Sequence, residues 1–213
     1  MDAHIEVVPA NEAAWEDITA IFGTRGVGAV CWCQRYKLAP REAFRSHPPE
    51  ERAARMRAQT HAGESASSTT SGLVAYLDGE PVGWCAVEPR PTYMGLRRVY
   101  RTPWQGRAED KADAGVWAVT CFMIRAGYRG KGVSRALAKA TVEHARARGA
   151  RAIEAYPMIS RPGEEVTWGE EHVGFSDVFE AAGFREVSRP GIRRVVMRID
   201  FDPDGPSRTQ RGR

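Results

Sequence analysis

The sequence predicts a mixed α/β fold whose sheet is mostly antiparallel and contains one parallel pair of strands. Two apolar runs, 73–77 and 81–87, flank an Asp-Gly dipeptide, which is the strongest β-hairpin signal in the chain. Nine apolar and β-branched residues at 116–124 precede a helical pattern that runs to 148 and a short strand pattern at 152–156. Because a strand, a helix and a second strand in succession form a β-α-β unit, those two strands are expected to be parallel.

The remaining elements follow from local signals. A first strand is predicted over 4–8, and Asn11 is expected to cap a helix that extends to Phe22. Gly23, Gly26 and Gly28 are expected to break that helix. The other predicted segments are a charged helix from Pro49 to about His61, a polar mobile loop at 63–72, a long site-lining loop at 88–114, a loop at 160–169, a helix at 176–182 and a final hairpin from 184–187 and 194–199.

The 213 residues and the 42% hydrophobic composition fit a single domain with a substantial core, predicted to span 1–201 before a disordered tail at 202–213. No segment approaches the roughly 20 apolar residues of a membrane span, and the first nine residues do not resemble a secretory leader. We therefore expect no membrane partner and a cytoplasmic location.

Charge and cysteine content exclude several classes of function. The net charge of +4 is modest, the pI is near 9.0, and the arginines are dispersed along predicted helices, so nucleic-acid binding is not expected. Four cysteines are too few for a disulfide framework in a chain of this length, so reduced thiols are expected. The spacing Cys31-Trp32-Cys33 is not that of a zinc site, so no metal is predicted, and this segment is expected to serve packing or to form a wall of an acceptor pocket.

The turn between the strand at 116–124 and the following helix is suited to an anion. Gly130 and Gly132 allow close approach of the backbone to a ligand, and a helix that begins near Ser134 directs its unpaired amides and the positive end of its dipole toward the turn. Arg129 and Lys131 add positive charge. The sequence therefore predicts a phosphate or pyrophosphate site.

Two other phosphate motifs are excluded by single residues. A Walker A loop needs Gly at 125 and Ser or Thr at 132, where the chain has Arg125 and Gly132. A dinucleotide-binding fingerprint needs a further glycine at 135, where Arg135 stands.

The order of elements and the run from Ile124 to Ser134 resemble the GCN5-related N-acetyltransferase (GNAT) family over most of the chain. Its acyl-CoA signature, Q/R-x-x-G-x-G/A, is matched by Arg129-Gly130-Lys131-Gly132-Val133-Ser134, with Ser in place of the last small residue. The junction Gly183-Phe184 is similar to a later helix-to-strand junction of the family. The resemblance implies a mixed, mostly antiparallel sheet with helices on both faces.

The resemblance also implies acetyl-CoA as co-substrate, with its pyrophosphate on the amides of 129–134 and its pantetheine arm along the strand backbone at 122–124. The neighbouring strand is expected to diverge there and leave room for the thioester. The predicted donor-site residues are Phe122, Met123, Ile124, Arg129, Gly130, Lys131, Gly132, Val133, Ser134 and Arg135.

Acid-base residues are not evident where many relatives have them, since Ala118 replaces a glutamate and Phe179 replaces a tyrosine. A base must remove a proton from the acceptor amine, and an acid can protonate the departing thiolate. The candidates are Glu154, Tyr156, Glu88 and His172. Each has a structural alternative: a strand-end charge or a salt bridge for Glu154, packing for Tyr156, and a solvated loop for Glu88 and His172.

The resemblance predicts an N-acetyltransferase that acts on the amine of a small molecule by direct transfer. Cys121 lies in an apolar strand with no nearby His-Asp pair, so an acyl-enzyme is not expected. Two alternatives stay open: a non-catalytic acyl-CoA sensor, and an enzyme that acetylates a protein or peptide. The acceptor and the oligomeric state are undetermined, with a homodimer as one option.

Overall fold

The computed structural model describes residues 4–98, 100–159 and 172–201, so the tail at 202–213 and the loop predicted at 160–169 lie outside the described residues. The strands are β1 Ile5–Pro9, β2 Gly72–Leu77, β3 Glu80–Pro89, β4 Val116–Ile124, β5 Ala152–Ala155, β6 Arg185–Ser188 and β7 Val196–Asp200. The α-helices in these ranges are α1 Trp15–Phe22, α2 Gly26–Cys31, α3 Pro49–Thr60, α4 Met94–Arg98, α5 Val133–Ala147 and α6 Ser176–Ala181.

The seven strands form one sheet in the order β1-β2-β3-β4-β5-β7-β6. Its neighbouring strands pair antiparallel except β4 and β5, which pair in parallel, so the predicted fold class is confirmed. At the β2–β3 turn, Asp78 and Gly79 both have positive φ angles of 52° and 84°. Positive φ at both central residues matches the twist of a two-residue hairpin, which explains why Asp-Gly joins these strands.

Helices cover both faces of the sheet. On one face, α5 buries Leu137 and Ala138 against β2 and β3, with Phe179 of α6 in the same core. On the other face, Ile18 and Phe22 of α1 pack with Trp84 of β3. Among the described residues, no helix has the length and apolar character needed to cross a bilayer.

A bulge in β4 opens the sheet beside β5. Cys121 pairs with Ala86 of β3 and Val119 pairs with Val87, so Thr120 is the additional residue on β4. Parallel pairing with β5 ends at Val119. Because a bulge bends its strand, the last residues of β4 diverge from β5. The structure thus has the divergence that the resemblance implied.

One prediction about the first helical region is wrong, and a second is confirmed only for Gly23. The N-cap of α1 is Ala14, and no side chain caps the helix. Asn11 is instead buried, and its amide nitrogen lies 3.5, 3.4 and 3.1 Å from the backbone carbonyls of residues 64, 65 and 67. Its donors therefore hold the polar loop at 63–72. Gly23 ends α1, but Gly26 and Gly28 lie inside α2 and so do not act as breakers there.

The connection at 88–114 is more ordered than the predicted loop. It contains a 3-10 turn, Arg90–Thr92, and the short helix α4. Tyr93 and Leu96 are buried in a third apolar cluster with Tyr36 and Tyr156. This segment therefore forms part of the core beneath the end of the sheet.

Candidate active site

A cleft opens where β4 diverges from β5, between the end of β4, the start of α5 and the segment at 172–178. It encloses about 200 Å³. Pockets that enclose whole drug-sized ligands span roughly 300–1,000 Å³, so a larger ligand would lie partly on the surface. We call it the donor cleft. Its walls are Phe122, Met123, Ile124, Tyr128, Arg129, Gly130, Val133, Ser134, His172, Gly174, Phe175 and Val178.

The turn before α5 has the geometry of an anion site. Gly130 and Gly132 adopt positive φ angles of 74° and 81°, which L side chains rarely adopt. Gly132 is the N-cap of α5, so no side chain caps the helix, and its first turn contains no acidic residue. The first amides and the positive dipole end of α5 therefore meet no intrahelical carboxylate.

The cationic residues of the turn have different surroundings. Arg129 lines the donor cleft, whereas Lys131 lies over the Tyr128 ring at 5.1 Å. Arg135 forms a 3.7 Å contact with Asp177 in which both side chains are more than half exposed. Solvent screening makes such a pair weak, so the Arg135 guanidinium can turn toward a ligand at low energetic cost.

The backbone of β4 is partly engaged along the cleft. The amide of Phe122 donates a 2.6 Å hydrogen bond to the carbonyl of His172, and the amide of Arg125 bonds to Val82 of β3. Because amides alternate along a strand, the amide of Ile124 faces the cleft side. A ligand that runs along β4 would thus find Ile124 rather than Phe122 as its backbone donor.

The structure places Glu154 inside an arginine cluster. Its carboxylate is inaccessible to solvent and is paired with Arg107, with Arg198 at 2.7 Å and with Arg90 at 3.2 Å. The Tyr156 hydroxyl donates to the same carboxylate at 3.1 Å. Burial alone would raise the pKa of Glu154, but the hydrogen bonds from Arg107 and Arg198 hold it below its usual value. These contacts favour the structural alternative for both candidates.

Glu88 of β3 pairs in register with Ala118 of β4, and its carboxylate is paired with Lys37. The positions at which relatives carry acid-base groups are closed here, because Ala118 and Phe179 are completely buried. Phe179 packs edge-on against Phe122 and Phe184, with ring centroids 5.5 and 5.2 Å apart. Neither position offers a group to a ligand.

His172 is the acid-base candidate that lies in the donor cleft. It is 5% exposed, and its Nε2 lies 3.1 Å from the hydroxyl of Tyr36. Both residues also line a small cavity of about 90 Å³ beside the cleft, together with Arg35 and Tyr100, which we call the passage. Burial raises the pKa of the Tyr36 hydroxyl, which keeps this group protonated.

The sequence did not point to Tyr36 or Tyr100 as individual site residues. The available signal was the aromatic segment at 31–36, which was expected to serve packing or to form an acceptor-pocket wall. The structure gives its residues different surroundings. Trp32 stacks between Trp15 and Phe22 at 5.7 and 5.0 Å, whereas Tyr36 lines the passage. All four cysteines are buried free thiols.

Sequence comparison assigns the chain to a family. The model of the Acetyltransferase (GNAT) family matches residues 32–161, which is more than half of the chain and includes β4, the glycine turn and α5. The protein therefore belongs to the GNAT family, as the motif predicted. The family uses acetyl-CoA as its co-substrate, and the described residues contain no cluster of His, Cys, Asp and Glu that could hold a metal.

Solved structures share the fold at low sequence identity. An N-acetyltransferase from Staphylococcus aureus Mu50 is 14% identical with a TM-score of 0.52, over 92% of this chain and 98% of that one. The protein yncA from Salmonella typhimurium, solved with its cofactor acetyl-CoA, is 15% identical with a TM-score of 0.52, over 96% of this chain and 98% of that one. The search of curated proteins found no match.

Proposed function

We propose that this protein transfers an acetyl group from acetyl-CoA to the amine of a small molecule, without an acyl-enzyme. One observation carries the proposal: seven of the ten residues predicted to bind the donor line a single cleft at the divergence of β4 and β5. The acetyl-CoA bound to yncA, which has the same fold, supports this choice of ligand.

The donor would occupy the cleft with its pyrophosphate at the uncapped start of α5. Two glycines with positive φ bring the backbone of the turn close to the ligand, and the first amides of α5 supply hydrogen bonds to an anion. Arg129 and the exposed Arg135 would add charge-assisted contacts. The pantetheine arm would follow β4 toward His172, with the Ile124 amide as a backbone partner.

The transfer step uses one side chain of the cleft. The nitrogen of the neutral amine attacks the thioester carbonyl carbon, and the carbon–sulfur bond breaks. The proton of the attacking nitrogen passes to the imidazole of His172 and from there to the departing sulfur. His172 fits this task because it borders both the donor cleft and the passage. Cys121 is buried against Cys33, with the sulfurs 2.8 Å apart, which supports direct transfer.

A small acceptor is supported by the size of the passage beside His172. Its volume of about 90 Å³ accommodates a slender amine rather than a folded chain. Efficient acetylation of a peptide amine, with no turnover of small amines, would contradict this part of the proposal.

The donor site is tested by a matched pair of glycine variants. Gly127 and Gly130 both have positive φ, and an added Cβ would have no atom within 4 Å at either position, so a valine imposes similar backbone strain at both. Gly130→Val is expected to weaken CoA binding at least tenfold by calorimetry, because only Gly130 lines the cleft. Gly127→Val is expected to bind CoA normally. Equal affinities would refute the assignment of the turn.

Catalysis is tested by release of free CoA across a panel of amines. CoA binding without thiol release from any amine would favour the alternative of a non-catalytic acyl-CoA sensor. Turnover that is lost in Gly130→Val but retained in Gly127→Val would support the proposed acetyltransferase activity.

A further inference from the structure

A second, larger cavity lies beyond the passage, between the 3-10 turn Gln34–Tyr36, the chain at 38–44 and α4. It encloses about 720 Å³. Three guanidinium groups line it, from Arg35, Arg41 and Arg98, and we call it the arginine cavity. Its apolar walls include Leu38, Phe44 and Met94.

The described residues leave most of the positive charge of the arginine cavity unneutralised. Within the described ranges, no ion pair involves Arg35, Arg41 or Arg98. The cavity contains one carboxylate, Glu42, which is already held by Arg55 at 3.2 and 3.0 Å. Arg35 is half-buried, whereas Arg41 and Arg98 are exposed, so water screens the repulsion among the three charges and their guanidinium groups stay accessible to an anion.

The passage adjoins both the arginine cavity and the donor cleft. Arg35 and Tyr100 line both the arginine cavity and the passage, and His172 lines both the passage and the donor cleft. The rings of Tyr36 and Tyr100 lie 4.7 Å apart, and those of Tyr36 and His172 lie 5.8 Å apart. A continuous aromatic wall therefore leads from the guanidinium groups to the imidazole.

We infer that the arginine cavity binds the acceptor, and that the acceptor is an amine with an apolar body and a small anionic group. The anion would lie against Arg35 and Arg98, since the planar guanidinium matches the two oxygens of a carboxylate. The apolar body would pack against Phe44 and Met94, and the amine would enter the passage toward His172. This inference rests on the proposed acetyl transfer and specifies its substrate class.

The test compares apolar α-amino acids with their carboxamides, which differ in the anionic group. For the wild-type protein, kcat/KM of CoA release is expected to be at least tenfold higher for the acids. Arg98→Gln is expected to raise KM for the acids at least tenfold, to leave the amides unchanged and to leave CoA affinity unchanged. Arg98→Lys is expected to restore part of the loss. Arg45→Gln is the control, because Arg45 is an exposed arginine nearby that does not line the cavity.

Three outcomes would overturn the inference: a preference for the amides, an equal effect of Arg98→Gln on acids and amides, or a loss of CoA affinity in that variant, which would assign the arginines to the phosphates of CoA. Calorimetric titration of the amino acid into CoA-saturated protein separates this inference from the proposed function. Binding that requires Arg98 supports the cavity even without turnover. Turnover that does not distinguish the acids from the amides refutes the assignment of the arginine cavity and leaves the proposed acetyltransferase activity unaffected.

Discussion

The hydroxyl of Tyr36 lies 3.1 Å from Nε2 of His172, and the two rings stack with an interplanar angle of 30°. The backbone carbonyl of His172 accepts the Phe122 amide of β4, which fixes the position of the imidazole at the donor cleft. Through its hydroxyl, Tyr36 thus orients an imidazole that borders both the donor cleft and the passage. The bulge in β4 makes this contact possible, because β5 no longer occupies that edge of the strand.

Replacement of His172 by glutamine is expected to lower kcat by roughly 10² to 10⁴, the usual contribution of general acid-base catalysis. Tyr36→Phe is expected to lower kcat by about tenfold, because the imidazole loses its orienting hydrogen bond while the ring packing persists. CoA affinity is expected to be unchanged in both, since the contact with Phe122 uses the backbone. Steady-state kinetics and calorimetry check these outcomes. A wild-type kcat in His172→Gln would remove this residue from the mechanism.

The sequence predicted the parts of the fold that local chemistry dictates. The hairpin at Asp78-Gly79 and the unit formed by β4, α5 and β5 follow from turn residues and hydrophobic periodicity within a few residues of chain. The arginine cavity was not predicted, because it joins Arg35 and Arg98 across distant segments. Helix α4 has five residues, too few to show a periodicity, and it is held by tertiary contacts such as those of Leu96.

The roles of Glu154 and Tyr156 likewise depend on partners that are distant in sequence. Alternation along β5 indicates which face each residue occupies, but the arginines that surround Glu154 come from the 88–114 connection and from β7. Asn11 illustrates the same limit. A residue suited to a helix N-cap is used instead to hold a loop more than fifty positions away.

Glu154→Gln is expected to destabilise the protein by about 3–5 kcal/mol, because the buried guanidinium groups of Arg90 and Arg107 lose their buried carboxylate and keep only contacts with the partly exposed Glu109. The Arg90 side chain is inaccessible to solvent and that of Arg107 is 7% exposed, so water cannot solvate their charges after the carboxylate is removed. Urea denaturation provides the measurement.

Glu109→Gln is the matched control for this prediction, since Glu109 contacts the same arginines but is 30% exposed. Its expected effect is at most about 1 kcal/mol, as for solvent-accessible ion pairs. If Glu154→Gln retained full stability and lost turnover, Glu154 would be the base and the structural interpretation would be wrong.

Gly83 of β3 sets the position of α5 and hence of the donor turn. A Cβ at this position would lie 2.6 Å from Val133 Cγ1 and 3.1 Å from Leu137 Cδ1. Gly83→Ala is therefore expected to cost about 1–3 kcal/mol through overpacking and to weaken CoA binding, because Val133 is the first residue of α5. Combination with Val133→Ala should restore CoA affinity in calorimetry.

Gly191→Ala is the control for this prediction, because a Cβ there meets no atom within 4 Å and its φ is not positive. Its stability is expected to stay within about 0.5 kcal/mol of the wild type. Normal CoA affinity in a destabilised Gly83→Ala variant would show that α5 tolerates displacement without loss of the donor site.

The buried His144 is expected to make the protein sensitive to mild acid. Burial, together with Arg148 at 3.0 Å, lowers the pKa of His144 from 6.5 to about 4. Between these pH values the unfolded chain binds a proton that the folded protein does not. The stability that depends on neutral His144 is therefore fully present above pH 6.5 and is lost as the pH falls toward 4. This change in pKa corresponds to about 3 kcal/mol. His144→Gln removes this titration, so urea denaturation should show a flatter dependence on pH for the variant between 6.5 and 4. Parallel curves for the two proteins would show that His144 titrates equally in both states.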